Sequence, residues 1–294
     1  MSGEVLGLLA AFFWAVSSVL LAVGAKRLHV VPLNLVRCAV GTIFFWIMLP
    51  FFGGIEAIAA ITPSAWLWLI VSVLTLLVVG DTLYFRSMDL AGVSWSMPVT
   101  NISPLWAVLL AVVLVGEPLS WSLVVGALMV IAGITLIGRS VSRPAGEESK
   151  KDRRARRTGL LMALAVSILW AIGNVALKPA TEGTHAIVAN SIRQPMAVVI
   201  LLIPTLWRGQ WRGFGTLAKR SWLLILLASL FGMGLATTFF VLAIQRAGAG
   251  RTAVLMASSP LMALPFSMLW LHERPTRWTF VGLLLATAGI FLVL

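Results

Sequence analysis

The sequence predicts an all-α integral membrane protein, ten transmembrane helices formed by two inverted five-helix repeats, and three observations carry that prediction. The first is composition. Of 294 residues, 60% are hydrophobic, a further 25 are Gly and only 11% are charged, at a mean hydropathy of +1.01, whereas soluble domains average about 45–50% apolar residues with Gly included. The second is run length, because apolar stretches recur at the roughly 20 residues that a helix needs to cross a bilayer. The third is self-similarity: a shift of 156 residues lays one half of the chain on the other without a gap. A membrane β-barrel is excluded, since stretches such as 123–134 are apolar on every side and do not alternate.

The apolar runs place spans near 4–24, 32–51, 65–86, 94–115, 120–138, 158–177, 186–206, 222–244, 252–271 and 278–294. Glu4 and the lack of a basic cluster before the first run argue for a span there and against a cleaved leader. The largest polar break, 139–157, is rich in Lys and Arg and divides the chain into a first repeat (1–138), a basic linker (139–157) and a second repeat (158–294). Counting cations by loop parity gives 17 on the linker side and 3 on the side of both termini, with Arg37 and Arg193 inside spans. Basic loops stay in the cytoplasm, so the linker is expected to be cytoplasmic and both termini external, in a cell membrane. The excess of 22 Lys+Arg over 10 Asp+Glu is therefore topological, not a nucleic-acid footprint.

Polar and aromatic residues make the repeat convincing, since apolar residues match by chance. Trp14 falls on Trp170, Asn34 on Asn190, Arg37 on Arg193, Trp66 on Trp222, Ala91-Gly92 on Ala247-Gly248, Ser103-Pro104 on Ser259-Pro260, and Glu117 on Glu273. An odd number of spans per repeat sends the second half into the membrane from the opposite side. Inverted repeats provide two equivalent conformations, each open to one side, around a central site.

Each half resembles the EamA module of the drug/metabolite transporter superfamily, over nearly the whole chain. The resemblance rests on an ordered set that occurs twice: Gly3 with Trp14 and Gly159 with Trp170, a lone Arg opening the second span, an Ala-Gly turn after the third, a Pro within the fourth, and Glu117-Pro118 or Glu273-Arg274-Pro275 at its end. It implies a ten-helix secondary transporter of small metabolites, often amino acids and frequently exported.

Ionisable groups inside a bilayer cost about 2.5–3.5 kcal/mol each on insertion scales, which makes them functional candidates. Arg37 and Asp81 sit at similar depth from one end and are expected to pair as a gate, with headgroup snorkelling by Arg37 the alternative. Asp81 is also the candidate for proton coupling, as the acid placed well inside a span. The repeat mate of Asp81 is Thr237, so Arg193 lacks an equivalent acid and is a candidate for holding a substrate carboxylate or phosphate. Here too snorkelling is the bland reading. The expected cavity is lined by Trp14, Ser18, Asn34, Tyr84, Asn101, Trp170, Asn174, Asn190, Arg193 and Thr238. Pro98, Pro104 and Pro260 are expected to free backbone carbonyls near the midplane.

The cargo expected first is an amino acid or relative. Phosphorylated or nucleotide-sugar-like substrates, held by both arginines, are the alternative. An integral-membrane transferase is the competing class, but the acids are scattered and His29, His185 and His272 all lie near loops, so no catalytic residue is assigned. No Gly-rich phosphate loop is present, the single Cys38 allows neither an internal disulfide nor a thiol metal site, and no metal or cofactor is expected. The partners expected are a small molecule, a possible coupling proton and the bilayer. Two complete repeats in one chain are compatible with a monomer that works alone.

Overall fold

The computed structural model describes residues 1–25, 28–141, 150–270 and 277–294. Residues 142–149 of the expected linker and Glu273-Arg274-Pro275, the second copy of the Glu-Pro motif, lie outside the described residues. Among the described residues, ten apolar helical segments follow one another. The first is α1 (Gly3–Gly24), begun by Ser2, whose hydroxyl accepts the Val5 N–H at 3.4 Å and so satisfies one of the free donors of a helix start. The second is α2 (Val30–Met48), tightened into a 3-10 turn at Leu49–Phe52 around Pro50, and a short helix α3 (Gly54–Ala59) fills the connection beyond.

The third span is α4 (Pro63–Ser72), started by a Thr62 cap with Pro63 in the first turn, then a π-helical turn over Val73–Val78, then α5 (Val79–Ala91). The fourth is broken into α6 (Val93–Thr100) and α7 (Ser103–Val115), and α8 (Trp121–Val141) is the fifth. The second half repeats each device. It runs through α9 (Lys150–Ala180), α10 (Ala186–Trp207), a 3-10 turn at Gln210–Thr216, α11 (Lys219–Ser229), a second π-helical turn over Leu230–Ala236, and α12 (Thr237–Ala247). A broken pair, α13 (Ala249–Met256) and α14 (Ser259–Trp270), leads to α15 (Arg277–Val293). Both π turns and both helix breaks fall at matching repeat positions.

Seven helical runs among the described residues are long and apolar enough to cross a bilayer, and residues 121–137 and 277–293 form shorter apolar helices. The α13–α14 pair completes the ten. Both ends of the expected linker are helical: α8 continues to Val141 and α9 starts at Lys150. Lys, Arg and Ala are strong helix formers, so the basic stretch extends the span instead of breaking it.

The two halves interlock. First spans pack on third spans of the opposite half (α1 on α12, α9 on α5), while second, fourth and fifth spans pack on their own counterparts (α2 on α10, α7 on α13, α8 on α15). Small residues allow this. A Cβ on Gly3 would stand 2.6 Å from the Ala247 Cβ, and one on Gly159 would stand 2.7 Å from the Ala91 Cβ. Along α8 and α15, Gly126 faces Gly289 and Gly133 faces Gly282 backbone to backbone, the close approach by which helices associate without help from water. The turns that precede α6 and α13 need Gly for another reason, since Gly92 and Gly248 have φ of 83° and 89°.

Candidate functional site

The second spans cross at Gly41, where a Cβ would stand 3.0 Å from the Gln194 side chain. Trp46 Nε1 donates to the Ser191 carbonyl at 3.0 Å and the Ser191 hydroxyl donates to the Phe45 carbonyl at 3.3 Å, which fixes α10 against α2. Arg37 lies one turn before Gly41, and Arg193 adjoins Gln194. The two arginines thus flank the crossing, and they are 4% and 1% exposed. Neither side chain runs out along the lipid face, so both are held in the protein interior.

Their surroundings differ. Arg37 Nη1 donates to Asp81 Oδ2 at 3.1 Å and to Asn34 Oδ1 at 3.3 Å, and its guanidinium stands 5.6 Å from the centre of the Phe85 ring. Asn34 Nδ2 donates to the Leu77 carbonyl at 2.6 Å, and Leu77 belongs to the first π turn, where the altered register leaves carbonyls for outside donors. Arg193 Nη1 donates to Asn190 Oδ1 at 2.7 Å and its Nε donates to the Ser72 hydroxyl at 3.0 Å. No carboxylate pairs with Arg193 among the described residues. Asn190 Nδ2, Gln194 Oε1 and Arg37 Nε are buried around the same crossing without a protein partner, and buried polar groups of that kind require an explanation.

Aromatic rings bracket this cluster in two repeat-related pairs. Trp170 packs on Tyr84 with ring centres 4.8 Å apart, and Trp14 packs on Phe240 at 5.6 Å. The Trp170 indole also lies against Gly80, where a Cβ would stand 2.9 Å from its nitrogen, beside the Asp81 carboxylate. Asn174, one turn further along α9, is 9% exposed. Asn101 sits at the α6–α7 break with its Nδ2 buried and unpartnered.

The structure therefore brings Arg37, Asp81, Asn34, Tyr84 and Trp170 into one cluster, with Arg193 and Asn190 across the crossing. The other expected residues contribute less. Ser18 is exposed and its hydroxyl donates to the Trp14 carbonyl at 2.8 Å, while the Thr238 hydroxyl donates to the Gly234 carbonyl at 2.8 Å, both within their own helices. Sequence reasoning missed Ser72 and Gln194. Each is visible as a polar residue inside a span, and only the crossing geometry shows what it faces.

At the end that carries the N-terminus, the loops are tied by charge. Glu117 Oε1 accepts from Lys178 Nζ at 2.9 Å and from the Ala249 N–H at 2.7 Å, and Oε2 accepts the Gly250 N–H at 3.1 Å. A carboxylate suits the start of α13, where free N–H groups and the helix dipole both favour an anion. Arg251 pairs with Glu4 at 2.7 Å.

Comparison with known proteins now decides the family, because the profile of the EamA-like transporter family matches twice, over residues 1–139 and 157–294. The chain belongs to the EamA-like transporter family. It is 25% identical over 290 residues to an Archaeoglobus fulgidus protein described as an uncharacterized transporter, covering 98% of this chain and 96% of that one. A Saccharomyces cerevisiae protein described as a probable transport protein is 26% identical over 224 residues, 68% of this chain and 60% of the relative. A solved crystal structure superposes at a TM-score of 0.81 over 99% of this chain and 95% of that one, with 16% identity, a likeness of fold. This EamA protein is thus a multi-pass membrane transporter with two EamA domains, and not an enzyme.

Proposed function

We propose that the protein is a secondary transporter, working as an exporter, that moves small carboxylate-bearing metabolites such as amino acids by alternating access between its inverted repeats. The observation that carries this reading is Arg193. A guanidinium 1% exposed in the membrane interior, held by two neutral side chains, is costly to keep. It is also suited to receive a carboxylate in a fork of hydrogen bonds. The unpartnered polar atoms at the same crossing offer further contacts, and the Trp170–Tyr84 and Trp14–Phe240 pairs offer apolar faces for a side chain.

Arg37 is committed to Asp81, which leaves a single uncompensated cation at the crossing. That balance favours a monoanionic group over the phosphorylated substrates that would need both arginines. The Arg37–Asp81 pair acts in this scheme as the gate, with Asp81 the site of any coupling proton. The linker end faces the cytoplasm by its excess of cations, and the protein works as a monomer.

Flux of radiolabelled amino acids in proteoliposomes tests the proposal. Arg193→Gln is expected to abolish carboxylate-dependent uptake, while Arg193→Lys retains part of it. Unchanged transport and unchanged ligand-induced thermal stabilisation in Arg193→Gln would remove the substrate role of Arg193.

A further inference from the structure

A cavity of about 610 Å³ opens at the N-terminal end of the molecule, away from the crossing, where the turn between α9 and α10 meets the ends of α7 and α12. Its size falls within the roughly 300–1,000 Å³ of small-molecule sites. Its polar lining comes from Lys178, Thr181, Glu182, Thr184, His185 and Gln245. The wall is built, not incidental. Gln245 Nε2 donates to the Thr181 carbonyl at 2.9 Å and to the Thr184 carbonyl at 2.7 Å, across the turn that Gly183 makes at a φ of 70°. His185 accepts the Ile187 N–H at 3.2 Å and stacks on Phe52 with ring centres 4.2 Å apart.

Two features give this cavity a chemical preference. Lys178 spends one of the three N–H bonds of its ammonium on Glu117, which leaves two for a ligand. One turn further on, the Glu182 carboxylate is exposed in the lining and supplies the opposite charge. The position of Lys178 also matters. Trp170, Asn174 and Lys178 follow one another at intervals of four along α9, so they lie on one face of that helix. The cavity therefore stands at the outer end of the stripe that leads to the aromatic pair at the centre.

We infer that this cavity is a vestibular binding site for a small zwitterion, an α-amino acid, with its carboxylate on Lys178 and its ammonium on Glu182. The inference rests on the proposed amino-acid transport and adds a second station to it. The repeat mate of Lys178 is Ala22, so the station exists at one end only.

The test uses the purified full chain carrying Thr184→Cys, in which the only other thiol, Cys38, is buried. The rate of maleimide labelling at position 184 is measured with L-alanine, propionate or ethylammonium at about 100 mM, where mass action fills even millimolar sites. L-alanine is expected to slow labelling severalfold more than either single-charge probe. Lys178→Gln and Glu182→Gln should each abolish that excess protection, Lys178→Arg should restore it, and Arg193→Gln should leave it intact. Equal protection by all three probes, no protection at all, or protection that survives both substitutions would overturn the vestibular site. Failure of that kind, with carboxylate flux still lost in Arg193→Gln, would leave the central reading standing.

Discussion

Arg37 and Arg193 occupy the same position in two copies of one helical unit, yet one has a carboxylate and the other has two neutral partners. Around them the copies agree closely, in the Asn three residues earlier, the π turn in the third span, the break in the fourth and the aromatic pairs. At the crossing the copies differ in polar and charged groups: Asp81 is matched by Thr237, Ser72 by Ala228 and Gln194 by Cys38. The contacts of Gly3 on Ala247 and Gly159 on Ala91 are shared by the copies, whereas Gly41 and Gly80 are matched by Ala197 and Ala236. Charge at the crossing is where the two copies became different parts.

The largest expected effect comes from breaking the balanced side. Arg37→Leu leaves Asp81 buried without its cation, and removing one partner of a buried pair costs roughly 3–5 kcal/mol. A scan of thermal unfolding in detergent should show a large drop for Arg37→Leu and substantial recovery in the double variant with Asp81→Leu. No recovery would mean that Arg37 is held by something other than the acid.

Giving the second copy its missing acid sharpens the contrast. Thr237 is 2% exposed, and Thr237→Asp supplies a carboxylate at the position that pairs with arginine in the first copy. The variant is expected to remain folded and to weaken binding of carboxylate ligands by about tenfold or more, since an occupied guanidinium no longer attracts an anion. Isothermal titration with the ligands found by flux assay checks this, and undiminished affinity would count against a free Arg193.

A matched pair of substitutions serves as the symmetric control. Gly3→Val and Gly159→Val push against Ala247 and Ala91 in equivalent contacts, so both should destabilise by a similar amount, about 1–3 kcal/mol for overpacking. Strongly unequal losses in chemical denaturation would show that the halves differ in packing as well as charge.

The smallest effect concerns His185. Burial, and secondarily the nearby Arg246, holds its imidazole below the ordinary value of 6.5. The unfolded chain therefore binds more protons than the folded one, and the contribution of His185 to stability is complete above pH 6.5 and declines as the pH falls through the lowered value. Melting temperatures should fall modestly on acidification from pH 7, and His185→Asn, which keeps an acceptor for the Ile187 N–H, should flatten that part of the profile.

Much of the fold was legible because membrane helices announce themselves by length and the repeat by its polar matches. The glycines at 3 and 159 were visible as a pattern, and the structure supplies the reason, an alanine of the opposite half at contact distance. The depth argument that placed Arg37 near Asp81 needed only helix geometry. What stayed hidden depended on interhelical angles and local register. Nothing in VLTLLV or LFGMGLA marks a π turn, so the Leu77 carbonyl that receives Asn34 could not be anticipated. Ser72 lies in the third span and Thr237, the repeat mate of Asp81, in the eighth, and only the packing of α10 on the third span brings Ser72 to Arg193. Ser18 and Thr238 are legible in the sequence only as polar residues, and short hydroxyl side chains readily spend that polarity on their own helix.

The paired π turns also record history. Each packs one more residue into a turn than an α-helix would, and each α-helical residue advances the chain by about 100°, so an extra residue turns everything beyond it toward a different neighbour. The 156-residue offset between copies is the same before the turn, at Trp14 and Trp170, as after it, at Gly133 and Gly289. An insertion in one copy after duplication would have broken that offset. The simplest lineage has the extra residue already present in a single five-helix ancestor, which aimed the second half of its third span before the gene doubled.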